Sequence, residues 1–270
     1  MWQPATVEDY LQRWHLQPDG AVFSTRSSHL QRVRRDGRPA MLKVARIEEE
    51  ANGCRLLAWW DGRGAARVYE VDSHAAVLEW GGESLVGLAG VDDDRATRTL
   101  CNVAATLHGA SEHRFEFRPE GLIPLDAWFR SLFARDDADG FYAVAATTAR
   151  RLLTADDDPV VLHGDLHHDN VLDFGERGHL AIDPKFLVGN RVFDYTNILC
   201  NPGQALAERH FDRRVDLISE LAGIPRVELL EWTVAWTALS ASWFAVDGNI
   251  DDEERALRIG ALAEASLRTE

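Results

Sequence analysis

Val160-Val161-Leu162-His163-Gly164-Asp165-Leu166-His167-His168-Asp169-Asn170-Val171-Leu172 is the stretch whose reading decides the fold. An apolar run ends at Leu162, a polar loop follows, and residues 171–173 return to strand character. A turn occupies residues 175–178, residues 180–182 read as a second strand, and Asp183 stands at its end. This arrangement brings Asp165, Asn170 and Asp183 to one edge of a small hairpin. Phosphoryl transfer needs such a set: a carboxylate to orient and deprotonate the attacking hydroxyl, and an oxygen-ligand pair to hold Mg²⁺ against phosphates. Asp165 suits the first role, and Asn170 with Asp183 the second. The same chemistry needs a lysine that reaches the phosphates.

Lysine is scarce here. The chain has 270 residues and 29 Lys+Arg, of which only Lys43 and Lys185 are lysine. A compact ammonium retained against such an arginine preference is expected where a planar guanidinium cannot substitute. Towards the N-terminus, residues 21–23 and 31–34 read as strands around a polar turn, and residues 35–39 form another turn. Residues 40–45 make the third strand and carry Lys43. Residues 47–60 are helical, stopped by the glycines of Asp61-Gly62-Arg63-Gly64. Glu50, one turn into that helix, is placed to pair with Lys43. Residues 67–71 and 75–80 form a strand pair, and Gly81-Gly82 reads as a hinge.

Beyond residue 92 the pattern becomes helical, over 93–109, 125–134, 141–154, 204–222, 227–246 and 251–267. The expectation is an α+β, two-lobed molecule. A small antiparallel sheet lobe with one helix spans residues 1–80, and a larger, mostly helical lobe spans residues 81–270. A cleft between them is a favoured ligand site.

Composition removes several classes. Apolar residues make up 46% and charged residues 27%, which places the chain among globular proteins rather than disordered ones. No apolar run reaches the roughly 18 residues of a bilayer-spanning helix. Residues 1–20 lack the basic-then-apolar order of a secretory signal, and Cys54, Cys101 and Cys200 form no CxxC pair, so a reducing cytoplasm is expected. A formal charge of −15 disfavours nucleic acid and favours a cationic ligand. His163, His167 and His168 lie in a loop rather than on a helix, so buried, hydrogen-bonded side chains are expected for His163 and His167 before a zinc site. Ser240 and Ser242 sit on a helical pattern, not on a nucleophile elbow. Trp232 and Trp236 belong to a helical core stripe, while Trp243 on the same stripe is able to reach a pocket.

His163-Gly164-Asp165-Leu166-His167 with Asn170 resembles the catalytic loop of the aminoglycoside phosphotransferases. Residues 181–189, Phe193-Asp194, residues 61–68, Asn201-Pro202, residues 239–243 and Asp247-Gly248 are similar to the streptomycin 6-kinase branch, the aminoglycoside/hydroxyurea resistance kinases. The resemblance runs over about residues 20–265. It implies a protein-kinase-like fold with ATP and Mg²⁺ between the lobes, Asp165 as catalytic base, and Asn170 and Asp183 as metal ligands. It places Ser27 and Ser28 in a turn over the phosphates, and Glu79 and Trp80 at the hinge that meets adenine. It makes Asp194 the brace of the catalytic loop, and counts His163 and Asp194 as structural residues near the site. Trp243 and Asp247 fall where relatives bind the acceptor, implied to be a small cationic hydroxylated molecule, most naturally streptomycin, acted on by a monomer. Phe186 replaces a glycine frequent in the family, and its ring is expected to reshape the acceptor pocket.

Two rival classes stay open. A kinase for hydroxyurea, a sugar or an amino alcohol shares every residue above. A catalytically inactive nucleotide-binding module, or a plain cation-binding protein, shares fewer. Protein kinase activity fits poorly, because only ten residues separate Asp183 from Asp194, leaving no activation segment.

Overall fold

A computed structural model of the protein describes residues 6–135, 140–154 and 159–270. The chain opens with α1 (Val7–Arg13), started by a Thr6–Asp9 capping box. Strands β1 (Gln17–Pro18), β2 (Phe23–Ser24), β3 (Ser28–Arg35) and β4 (Arg38–Ala45) follow. Then come α2 (Glu48–Trp60), β5 (Val68–Val71) and β6 (Ala75–Glu79). All six strands pair antiparallel, in the order β1-β3-β4-β6-β5 with β2 on β3.

Alternation along β4 sends Ala40, Leu42 and Val44 to one face, where they meet Val7 and Tyr10 of α1 together with Val33 and Val77. Each large aliphatic buried there contributes about 1.5–3 kcal/mol. Lys43 has the opposite parity and faces α2.

The rest of the molecule is mainly helical: α3 (Val86–Ala89), α4 (Asp93–Glu112), α5 (Leu125–Trp128), α6 (Arg130–Phe133), α7 (Phe141–Thr154), α8 (Val192–Cys200), α9 (Gln204–Ala222), α10 (Arg226–Asp247) and α11 (Ile250–Leu267). Two small sheets are set among them. One joins β7 (Ile123–Pro124), β8 (Val160–Leu162) and β11 (Leu187–Gly189), and the other is the hairpin of β9 (Val171–Asp173) and β10 (His179–Ala181). Phe129, Phe193 and Trp232 meet edge-to-face at 6.0–6.3 Å and lock α8 against α10. Trp232 and Trp236 are core residues, as the helical stripe implies.

The mixed architecture, with an antiparallel N-terminal sheet and a helical C-terminal region, matches the expected fold class. Local differences have physical causes. The expected strand at 21–23 lies at Phe23–Ser24, and residues 125–134 form two short helices broken at Phe129. β10 ends at Ala181, leaving Asp183 outside the strand with a left-handed φ of 64°. Gly81-Gly82 is no loose hinge: a Cβ on Gly81 would lie 2.7 Å from Leu172, and Gly82 N donates to Asp173 O at 2.7 Å. α1, α8 and the three-stranded sheet were not anticipated.

Candidate active site

The hairpin and its flanking loops are laced together by backbone. His163 Nε2 lies 2.8 Å from Ile182 O, Lys185 N donates to His163 O at 2.7 Å, and Ile182 N donates to Asn170 O at 2.9 Å. These bonds hold the 163–170 loop against the 182–186 loop, so Asp183 follows directly on a residue joined to Asn170. The 61–68 segment seals the outer edge: Ala66 N donates to Ala181 O and Ala181 N to Gly64 O, both at 2.9 Å.

Asp194, the third residue of helix α8, clamps the start of the loop. Its carboxylate accepts from His163 N at 3.0 Å and Gly164 N at 2.7 Å, and pairs with His108 Nε2 at 2.8 Å. Burial pushes its pKa upward, but His108, His163 and the Gly164 amide outweigh that and hold it below the usual carboxylate range. His163 is fully buried, and burial lowers its pKa against the pull of Asp194 and Asp165. With Nε2 donating to Ile182 O, its Nδ1 is free to accept from Asp165 N at 3.2 Å. Gly164 adopts φ 81°, and a Cβ there would lie 2.7 Å from Leu187, so the loop can turn only at glycine.

Asp165 is partly exposed, with 31% of its side chain open. Its Oδ1 accepts from Asn197 Nδ2 at 2.7 Å, and its Oδ2 lies 3.3 Å from Asn170 Nδ2 and 3.9 Å from Lys185 Nζ. Asn170 turns its NH₂ towards Asp165, donating also to Asp165 O at 2.9 Å, which leaves its amide oxygen for another partner.

Lys43 is buried and bridges two carboxylates, Glu50 and Asp183. Burial lowers its pKa, but Asp183 and Glu50 more than reverse this and keep the ammonium charged. Asp183 is pushed up by burial and pulled down further by Lys43, ending below its ordinary value. Lys185 pairs with Glu49 at 3.1 Å, and its pKa is raised by Asp165 and Glu49 against the effect of burial. Both lysines of the chain therefore stand at this one site. Gly53 makes the approach possible: α2 runs so close to the Asp183-Pro184 backbone that a Cβ on Gly53 would sit 2.5 Å from Pro184 O.

Other candidate residues lie at varying distances from this cluster. Ser28 is buried and its hydroxyl donates to Glu50 at 3.3 Å, so it supports Glu50 rather than standing open over a phosphate. The amides of Ser27 and Ser28 are taken by Thr25 Oγ1 at 3.3 and 2.9 Å. Glu79 pairs with Arg177 and accepts from Arg67 N at 3.1 Å, while Arg32 lies over the Trp80 ring at 4.9 Å. Phe186 departs from expectation. Its ring is buried in the core beneath Arg55, 5.2 Å from the guanidinium carbon, and it lines neither cavity described next.

A cavity of about 250 Å³ opens beside Asp165, walled by Trp236, Trp243, Phe244, Asn197 and Arg255. A second hollow of about 620 Å³ includes Glu49, Lys185, Trp128, Trp243 and Asp247. Trp243 is shared by both. Asp247 is already paired, to Arg26 Nη1 at 2.6 Å. Asn197 and His108 had not been singled out for this site, because polar residues inside apolar helical patterns give no signal until the helices are docked; Asn201 had been noted only within the Asn201-Pro202 pair.

The donor set fits a magnesium ion. It offers one carboxylate and one amide oxygen on adjacent backbone, a set matching an ion that keeps water and substrate phosphates in its shell. Among the described residues no group of three or more His, Cys, Asp or Glu side chains forms a metal cluster. No described helix is long and apolar enough to cross a membrane.

Comparisons with known proteins agree with this architecture. The chain is 44% identical to a streptomycin 3''-kinase of Klebsiella pneumoniae over 94% of its own length and 98% of that protein. It is 32% identical to a streptomycin 6-kinase of Streptomyces glaucescens, covering 91% of this chain and 84% of that one. It is 31% identical to a hydroxyurea phosphotransferase of Kitasatospora aureofaciens, covering 95% and 77%. The crystal structure of aminoglycoside phosphotransferase APH(4)-Ia superposes with a TM-score of 0.69 at 15% identity, covering 95% of this chain and 97% of that one. A ternary complex of a thermostable mutant of that enzyme with ADP and hygromycin B gives 0.67 at 17%, covering 96% and 98%. The sequence pattern of the aminoglycoside/hydroxyurea antibiotic resistance kinases matches residues 13–248, and this chain belongs to that family of small-molecule antibiotic phosphotransferases.

Proposed function

We propose that the protein is an ATP- and Mg²⁺-dependent O-phosphotransferase that inactivates streptomycin. The observation that carries the reading is the meeting of Lys43, Asp183, Asn170 and Asp165, with Asp165 at the wall of an aromatic-lined cavity. The reading divides the chain at about residue 80 into a nucleotide-binding lobe and a lobe that carries the catalytic loop and acceptor site. It describes a monomer acting in the cytoplasm, where ATP is available.

Mg·ATP, when bound, supplies the transferable phosphoryl group and neutralises its charge. Asn170 Oδ1 and the Asp183 carboxylate would hold the metal. Lys43 would exchange part of its contact with Asp183 for the α- and β-phosphates, with Glu50 keeping its ammonium in place. Ser27 stays at the turn above, and Glu79 and Trp80 mark the adenine side. Asp165 orients the acceptor hydroxyl and receives its proton as the oxygen attacks. General-base assistance of this kind contributes about 10²–10⁴-fold, the rest being positioning and charge.

The acceptor side suits a cation with an extended ring system. Trp243 walls both hollows and Asp247 offers a carboxylate. The Arg26 guanidinium on Asp247 is exposed, and pairs of that kind hold weakly, so a guanidinium-bearing acceptor can take its place. The higher identity to a 3''-kinase than to a 6-kinase favours the 3''-hydroxyl over the 6-hydroxyl. Hydroxyurea, a molecule of a few heavy atoms, would leave most of the aromatic cavity unfilled.

The test is incubation of the purified protein with ATP, Mg²⁺ and streptomycin, with the product phosphate located by ³¹P–¹H correlation. Transfer to the 3'' position is expected, transfer to the 6 position would reassign the acceptor hydroxyl, and no transfer would overturn the proposal. Asp165→Asn should fold and show a thermal shift with Mg·ATP, yet lose about 10²–10⁴-fold in kcat.

A further inference from the structure

Two polar side chains reach the 163–165 segment from one face of α8. Asp194 and Asn197 are three residues apart, so they project from the same side of the helix. Asp194 takes the backbone amides of His163 and Gly164, whereas Asn197 reaches the Asp165 side chain itself.

Asn197 is 3% exposed and both ends of its amide are committed. Nδ2 donates to Asp165 Oδ1 at 2.7 Å, and Oδ1 accepts from Asn201 Nδ2 at 2.7 Å. Asn201 Nδ2 also donates to Asn197 O at 3.1 Å. An amide can be turned either way round, and these contacts decide which. Because Asn201 presents a donor, Asn197 must answer with its oxygen, and its NH₂ is left to face Asp165. The far end is anchored by Arg214, wholly buried, which donates to Ile198 O at 2.9 Å and to Asn201 O while its Nε donates to Asp93 at 2.9 Å. Those carbonyls lie at the C-terminal end of α8, where the helix leaves its acceptors unpaired.

We infer that Asn197 is a positioning residue, whose side-chain amide fixes the rotation of the Asp165 carboxylate under a polarity set by Asn201. The inference rests on the proposed role of Asp165 as proton acceptor. With Oδ1 held by Asn197, Oδ2 is the oxygen left beside Asn170 and Lys185, and the carboxylate cannot swing between alternatives. A hydroxyl entering the cavity then meets a preset acceptor instead of a rotating one. Asn197 and Asn201 also line that cavity, so simple substrate contact is the competing explanation.

Steady-state kinetics of Asn197→Ala, the isosteric Asn197→Asp, Asn201→Asp and the double variant D165N/N197A separate the two. Positioning predicts that N197A lowers kcat about 10–100-fold while KM for ATP and for streptomycin stays within about threefold. In the D165N background the same change should cost less than about twofold, because Asn197 acts through Asp165. N201D turns the amide round, placing an oxygen against Asp165, and should match the kcat loss of N197A with nucleotide affinity by thermal shift unchanged. If N197A does not fold, N197D and N201D carry the same comparison. A rise in acceptor KM at unchanged kcat, or an equal loss in both backgrounds, would overturn the inference. An inactive D165N beside a fully active N197A sinks the positioning role alone, whereas an active D165N removes the base assignment and this inference together.

Discussion

Lys43 is buried yet stays charged because two carboxylates enclose it, and removing it leaves Glu50 and Asp183 facing each other without a cation. Breaking a buried pair in this way costs about 3–5 kcal/mol. Lys43→Met should therefore lower the urea midpoint as well as abolish transfer, and chemical denaturation beside the activity assay will show both losses. Asp194 gives a prediction with a pH sign. Its folded pKa lies below the ordinary value of 3.8, so its contribution is complete above that value and is lost as pH falls through the lower, folded one. Asp194→Asn loses one charged acceptor for buried donors and should be about 2–4 kcal/mol less stable at pH 7. The gap to the parent should narrow below pH 4 in urea titrations. Single residues were partly legible in the sequence. Asp165 and Asn170 lie five apart in one loop, so local spacing exposes them, and the scarcity of lysine singled out Lys43 and Lys185. Asn197, Arg214 and His108 owe their positions to helix docking, and an isolated Asn or His within an apolar pattern reads as a neutral choice.

The elements most easily read were those with long periods, α2, α7, α9, α10 and α11, because apolar repetition over several turns survives any tertiary context. The least legible were β7, β8 and β11, whose two or three residues are too few to alternate, and α8, whose residues from Val192 to Leu199 are all buried, so no polar face marks a period. At α2 local propensity and packing disagree, which makes it a useful test. Gly53→Ala should stabilise an isolated helix by about 1 kcal/mol. Here the new Cβ would meet the Pro184 backbone oxygen at 2.5 Å, so α2 must move away. We expect a net loss of about 1–3 kcal/mol by differential scanning calorimetry and a raised KM for ATP, since Glu50 on the displaced helix withdraws from Lys43. A more stable Gly53→Ala protein would show that α2 does not depend on this close approach.

Across the whole molecule, charge and connection act together. Arg26 and Asp247 are separated by 221 positions in sequence, yet they touch across the hollow that also contains Glu49, Lys185 and Trp243. The pair is exposed, so Arg26→Ala should leave the thermal midpoint unchanged while lowering KM for a guanidinium-bearing acceptor by a few fold, because Asp247 is no longer pre-occupied. Asp247→Asn should raise the same KM, and added salt should diminish both effects. The two-part architecture was readable from the change in texture near residue 92, but the contact between its remote parts was not, because nothing local links residue 26 to residue 247.

The pairing of both lysines with the site carboxylates has a practical consequence. Protein grown with ¹⁵N-lysine should give just two backbone amide resonances, one on β4 and one after Pro184, so titration with nucleotide or antibiotic becomes a two-signal spectrum that reports on each side of the cleft.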